Sequence, residues 1–438
     1  MWLGRTPVLC AKILIPAILL GSTLTGTAAA ASTVPSAAMT DSRAIELPAL
    51  SGGKPTLPQH DPFYTQATDY RHARPGELLR YRKSQVYLPS DLKVPAPVQA
   101  WQVIYRSTDA AGGPDAVSGT VLVPETPWPG PGPRPIVSYG VGAHGLGDQC
   151  APSYWMASGT EGEVPRMLTA LSHGWALAIT DYEGLGTPPN HTYVVALSEG
   201  RAALDVTRTA MRLPGAELSE RAPVGLWGYS QGGSAIGSAA EQARSYAPEL
   251  HIIGVAEGGV PADIQAVGRN VDGGAIFGVL AGAAAGFDTA YPDLRLSDLF
   301  NAKGHALLKL VRTECSADQG TNQANHYLSE YTNKPDALDY PSLVRVLRAN
   351  RIGSRSPGMP VYLYHAQFDE LVPPAVAQNL FREYCSRRVQ VAYTVIPLTE
   401  HVLAADAGAF GAVSWLASRF AGLPAPGDCL LGNLPVVG

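Results

Sequence analysis

The chain has 438 residues, 46% of them hydrophobic and 16% charged, with a formal charge of −5 and a pI near 6.1. That length and apolar content supply one large core with a satellite region and exclude an intrinsically disordered chain. The mild acidity excludes nucleic acid, or an anionic lipid surface, as an electrostatically held partner.

At the N-terminus, Arg5 and Lys12 precede the apolar run Ile13-Leu14-Ile15-Pro16-Ala17-Ile18-Leu19-Leu20, and Thr27-Ala28-Ala29-Ala30-Ala31 follow. A basic region, an apolar core and a small-residue cut site read as a secretory signal peptide over residues 1–31, cleaved near Ala29 to Ala31. Its apolar core is too short and broken to span a bilayer, so a secreted protein without a permanent membrane anchor is expected. Residues 32–79 form an N-terminal extension. Its stretch from residue 35 to about 60, rich in Ser, Pro, Gly, Ala and Thr, reads as a loosely ordered leader.

From residue 80 the pattern is that of a folded domain. Residues 101–107 and 116–124 read as an early antiparallel pair, and Pro135-Ile136-Val137-Ser138-Tyr139 as a strand entering the loop Gly140-Val141-Gly142-Ala143-His144-Gly145. A helix near 164–173, a strand at 176–180 and a helix from about 196 to 212 come next. This alternation predicts an α/β fold, a mostly parallel sheet covered by helices on both faces. Asp181 and Glu183, closing one strand, and Glu257, closing another, read as braces for neighbouring loops.

Ala222-Pro223-Val224-Gly225-Leu226-Trp227 then leads into Gly228-Tyr229-Ser230-Gln231-Gly232, and a small-residue, helix-compatible run follows. Strand, G-x-S-x-G and helix in succession describe a nucleophile elbow, which presents its serine above the sheet. The α/β-hydrolase order of serine, acid and histidine filters the rest. Of the ten histidines, His251, His305, His326, His365 and His401 follow Ser230, and only His401 also follows the best acid, Asp369, on the loop after the strand-like 360–364. His401 itself follows the strand-like 389–396; Glu370 and Glu400 are the nearest alternative acids. Ser230 would attack an acyl carbon, His401 would carry the proton, and Asp369 would hold the imidazole tautomer. One oxyanion donor is expected at the amide of Gln231, and a second at the amide of His144 or of Gly145.

Asp369 lies 139 residues beyond Ser230, more than the core needs, so residues 265–356 read as an inserted helical cap or lid. The core halves are then 80–264 and 357–438. The small apolar run 273–286 fits a closely packed buried helix, and equally a wall of an acyl tunnel. Beyond the signal, four cysteines remain, Cys150, Cys315, Cys385 and Cys429, which permit three pairings. Cys150 with Cys315 would staple insertion to core, and Cys385 with Cys429 would hold the tail. No spacing resembles a zinc site, and neither metal nor cofactor is expected.

Several stretches resemble the secretory lipases related to yeast lipase A and common among actinobacteria. They are Gly228-Tyr229-Ser230-Gln231-Gly232-Gly233, Gly145-Leu146-Gly147-Asp148-Gln149-Cys150-Ala151-Pro152-Ser153, Asp181-Tyr182-Glu183-Gly184-Leu185-Gly186-Thr187-Pro188, Ala256-Glu257-Gly258-Gly259-Val260-Pro261-Ala262-Asp263 and the acid and histidine loops, spread from roughly Tyr81 to Phe420. The resemblance implies an α/β-hydrolase that is secreted, metal-free and active on carboxylic esters of acylglycerol type. A lipid or ester small molecule is the expected partner, with transient contact at a lipid interface. Acyl chain length is not implied. A secreted acyltransferase or a short-chain carboxylesterase would use the same three residues.

Overall fold

The computed structural model of the chain describes residues 44–437, apart from 51–53, 65–68, 90–91 and 430–435. The expected signal peptide lies outside the described residues. The strands are β1 (Ile45–Glu46), β2 (Leu78–Ser84), β3 (Val98–Thr108), β4 (Pro114–Pro124), β5 (Ile136–Gly140), β6 (Ala176–Thr180), β7 (Val224–Tyr229), β8 (Ile252–Gly258), β9 (Val361–Ala366), β10 (Val391–Ile396) and β11 (Val436–Val437). They form one sheet in the order β1-β2-β3-β4-β6-β5-β7-β8-β9-β10-β11, parallel throughout from β6 to β11. Residues of β5, β6, β7 and β9 are buried without exception, as parallel strands sealed on both faces must be. The long β3–β4 pair is the expected hairpin, closed by a turn in which Asp109 Oδ1 accepts from Gly113 N at 2.7 Å.

The helices are α1 (Pro152–Ser158), α2 (Val164–Leu171), α3 (Ala196–Arg212), α4 (Gln231–Tyr246), α5 (Ile264–Val271), α6 (Phe277–Ala290), α7 (Ala302–Val311), α8 (Ser316–Asn322), α9 (Pro341–Ala349), α10 (Pro374–Ser386) and α11 (His401–Phe420). Two apolar layers result. Val224 and Leu226 of β7 face the layer built with α3, α4 and α10, while Trp227 and Tyr229 face the layer built with α2 and α11. The period of two along a strand makes that division. Among the described residues no helix is long and apolar enough to cross a membrane.

The described residues of the extension before residue 80 join the fold. β1 pairs in parallel with β2, and Phe63 and Tyr64 are buried with Ile104 and Ala116. Phe63 and Tyr64 follow the stretch 35–60 that reads as a leader.

Helices α5 to α9 lie between β8 and β9, where the cap was expected. The small residues of α6 allow close approach: a Cβ at Gly278 would stand 2.3 Å from the Gln319 carbonyl oxygen, and one at Gly286 would stand 2.5 Å from that of Tyr193. Two disulfides, Cys150–Cys315 and Cys385–Cys429, bridge sequence separations of 165 and 44 residues. Both match the expected pairing. A cross-link closing the longer loop removes more unfolded-state entropy. Replacing Cys150 and Cys315 with Ser is expected to lower unfolding free energy by about 2–5 kcal/mol. The same change at Cys385 and Cys429 should cost less, as paired denaturation curves of the two variants would show.

Candidate active site

β7 delivers Ser230 into a turn with φ 59° and ψ −125°, and α4 begins at the next residue. A non-glycine residue held there stores roughly 1–3 kcal/mol of strain. Close packing of backbone on backbone holds the turn. A Cβ at Gly232 would lie 2.0 Å from the Gly140 carbonyl oxygen, and one at Gly228 would lie 2.4 Å from that of Gly232. The amide of Ser230 donates to the Gly258 carbonyl at 2.9 Å, which ties the turn to the end of β8.

The loop after β9 brings in Asp369, and the start of α11 brings in His401; both are buried. His401 Nδ1 donates to Asp369 Oδ2 at 2.7 Å, and Ser230 Oγ donates to His401 Nε2 at 2.8 Å. A carboxylate only accepts, so the proton on His401 sits on Nδ1 and Nε2 is free to accept. Asp369 Oδ1 accepts from the amides of Leu371 and Val372 at 3.1 and 2.7 Å, which fixes the carboxylate. The alternative acids hold the histidine's backbone instead. Glu370 accepts from the His401 amide at 3.0 Å, and Glu400 caps α11 through the amides of Val402 and Leu403. His365 Nε2 donates to the Val372 carbonyl at 3.0 Å and lies 3.5 Å from Asp369 Oδ2; burial pushes its pKa down.

The glycine-rich loop after β5 meets the cap. Ser316 Oγ donates to the Ala143 carbonyl at 2.6 Å, the Ser316 amide to the His144 carbonyl, and the amides of Leu146 and Gly147 to the Glu314 carbonyl. In a trans peptide N–H and C=O point in opposite directions. The His144 amide therefore turns away from Ser316. The His144 ring bonds Gly142 O through Nδ1 and Glu161 Oε2 through Nε2, both at 2.8 Å. Burial opposes its charge, but the Glu161 carboxylate outweighs burial and lifts its pKa to about 9.

Gln231 donates through Nε2 to Glu199 Oε1 at 2.6 Å, and burial pushes Glu199 up to about 8. Spacing reveals neither Glu161 nor Glu199; only Glu199 carries a signal, a carboxylate just after the apolar stretch 193–197. Asp181 is a brace, accepting from the Ser153 amide at 2.8 Å and from Ser118 Oγ at 2.7 Å. Glu257 is buried near Glu241 and Tyr384, outside the serine's hydrogen-bonded line.

Ser230 and Gln231 open on a cavity of about 500 Å³ whose other walls include Ala143, Tyr193, Val267 and Leu371. A second cavity of about 520 Å³ lies among the inserted helices and shares Ile264, Leu280 and Ala283 with the first. Its lining is entirely apolar. The two cavities are neighbours with a common wall.

The secretory lipase family profile matches residues 152–428. A relative in Mycobacterium tuberculosis, called a probable inactive lipase, is 32% identical over 382 residues, covering 85% of this chain and 84% of its own. Lipase 10 of Candida albicans is 30% identical over 397 residues, covering 85% and 83%. The closed state of Candida antarctica lipase A is similar in structure, with a TM-score of 0.78 at 25% identity over 88% of this chain and 91% of that one.

Glu199 is neutral up to about pH 8 in the folded protein, whereas its ordinary value is 4.5. Between those values the unfolded chain binds fewer protons, so stability falls as pH rises from about 4.5 towards 8. Glu183 and Glu241, each pushed to about 7 by burial, add slope of the same sign. The melting temperature is expected to fall from pH 5 to pH 8. Glu199→Gln keeps an acceptor for Gln231 and cannot ionise, so it should flatten that fall by at least about 2 °C. Parallel wild-type and variant profiles would contradict a neutral Glu199.

Proposed function

The chain belongs to the secretory lipase family, and from that premise we propose that it is a secreted serine hydrolase cleaving carboxylic esters of lipids through an acyl-enzyme. The hydrogen-bonded line Asp369–His401–Ser230, opening on an apolar cavity, carries this reading. Ser230 Oγ attacks the ester carbonyl as His401 Nε2 takes its proton; the proton then passes to the leaving alcohol. Water attacks the acyl-Ser230 ester with His401 again as base. Asp369 holds the imidazole and stabilises the imidazolium.

The developing oxyanion is bound by the amide of Gln231, one of the first in α4 and so without an intrahelical acceptor, and by the amide of His144. Gly145 was the other reading for the second donor. Ala143 lines the cavity beside Ser230 and Gly145 does not, which favours the amide of the Ala143–His144 peptide. Each donor is worth about 3 kcal/mol of barrier. The acyl chain lies in the serine's cavity and, passing Ile264, Leu280 and Ala283, enters the neighbouring one among the inserted helices. Two disulfides suit an oxidising, extracellular setting.

A non-catalytic reading is favoured by one observation, the description of the Mycobacterium tuberculosis relative as probably inactive. Initial rates on p-nitrophenyl esters from acetate to palmitate separate the two. The wild type should turn over, with kcat falling about 10⁶-fold in Ser230→Ala and about 10⁴-fold in Asp369→Asn. Equal rates for all three would leave the non-catalytic reading. Ala283→Phe should fill the junction of the two cavities, lowering kcat/KM on palmitate by about 1–3 kcal/mol, or 10- to 200-fold, with acetate little changed. A uniform loss across chain lengths would remove the acyl chain from that volume.

A further inference from the structure

Residues 142–144, on the loop after β5, engage every backbone polar group they have except two. Glu163 Oε1 accepts from the Gly142 amide at 2.9 Å, and His144 Nδ1 donates to the Gly142 carbonyl at 2.8 Å. Ser316 donates to the carbonyls of both Ala143 and His144. The amides of Ala143 and His144 have no acceptor among the described residues. Ala143 lines the same cavity as Ser230, so the free amides lie on the part of the loop that meets the site.

The His144 ring closes this clamp, and it needs two protons to do so. A backbone carbonyl only accepts, so Nδ1 carries one proton. Nε2 stands 2.8 Å from Glu161 Oε2, and the other oxygen of Glu161 accepts from the Glu163 amide at 2.9 Å. Against a carboxylate so held, Nε2 is protonated as well and the ring is an imidazolium. The Trp155 ring covers it, with centroids 4.8 Å apart. Burial opposes the charge, Glu161 and then Glu163 favour it, and the proton is kept up to about pH 9. Asp181, after β6, and His191, on the loop beyond, are the other titratable neighbours; burial holds His191 down at about 4, so it adds no competing charge at neutral pH. Asp148 faces the Gly186 amide, while Glu314 and Asp318 of the insertion bond Asn322 and the Cys315 amide.

Removing one of those protons breaks the clamp. A neutral ring keeping its bond to Gly142 turns a bare Nε2 lone pair towards the Glu161 carboxylate, two acceptors with nothing between them. A ring keeping its bond to Glu161 gives up Gly142. We propose that His144 and Glu161 are positioning residues of the ester-cleaving site: the doubly protonated ring, held between the Gly142 carbonyl and the Glu161 carboxylate, fixes the Ala143–His144 peptide beside Ser230, and turnover fails when that ring loses a proton. This rests on the reading of the site as a serine hydrolase. Glutamine in place of Glu161 removes the dependence on the proton. Its amide can donate to Nε2 of a neutral ring while its carbonyl accepts from the Glu163 amide, so both ends of the clamp stay closed without a charge.

The test is the pH profile of kcat and KM on p-nitrophenyl butyrate, corrected for spontaneous hydrolysis, for the wild type, Glu161→Gln and Glu161→Ala. The wild type should lose kcat as pH rises through about 9. Glu161→Gln should keep kcat within about threefold at neutral pH and lack that alkaline fall. Glu161→Ala should lose kcat at least about tenfold at every pH, with KM within about twofold, because the binding cavity is untouched and only the donor's aim is lost. An alkaline fall that persists in Glu161→Gln, a glutamine variant as slow as the alanine one, or an alanine variant as fast as the wild type would each overturn the proposal. The wild type and Glu161→Gln decide it by themselves if Glu161→Ala does not fold. A wild type inactive at every pH would defeat the hydrolase reading and this proposal together, whereas an active wild type with any of those three results defeats this proposal alone.

Discussion

The contact on which the site depends is backbone against backbone, where the turn between β7 and α4 crosses the end of β5. Gly140, Gly228 and Gly232 meet with no room for a Cβ at any of them. Because that crossing is so tight, α4 starts immediately after Ser230, and the loop leaving β5 is forced past the serine. Three consequences therefore share one cause: the strained serine, the free first amides of α4 and the position of residues 141–144. A side chain at any of these glycines would separate all three at once. The site is thus a property of the sheet's centre more than of its loops.

Around that centre the protein holds an unusual number of carboxylates out of water. Asp181 and Asp205 are pushed to about 6, Glu183 and Glu241 to about 7 and Glu199 to about 8, in each case chiefly by burial. A neutral carboxyl in a dry setting keeps hydrogen-bond directionality without a large solvation penalty. Glu199 so placed orients Gln231 from below, and charged Glu161 orients His144 from the side through an ion pair. The two expected oxyanion residues are held by opposite electrostatic means.

The parts legible in the sequence were those encoded by local pattern or chain order. The elbow was legible because strand and helix flank it, Asp369 and His401 because each follows a strand in the required order, and the insertion because the chain between them is too long. What stayed hidden depends on contacts between distant residues. Glu199 reaches Gln231 across 32 positions, and β1 reaches β2 without any period of its own. The outward face of α11 was hidden for a different reason. Alanine, valine, leucine and phenylalanine occupy nearly every position of its first half, so no periodicity tells the buried side from the exposed one.

Residues 143–147 are laced to 314–316 by hydrogen bonds, and the disulfide from Cys150 to Cys315 closes the same junction covalently. The inserted helices are consequently anchored at α8, and α5 is tied to the acid loop as well, where Asn270 Nδ2 donates to the Glu370 and Leu371 carbonyls at 2.8 and 3.1 Å. The Ala143–His144 peptide is thereby held from the insertion as well as from its own strand. The precision of that loop is a property the core shares with the helices inserted into it.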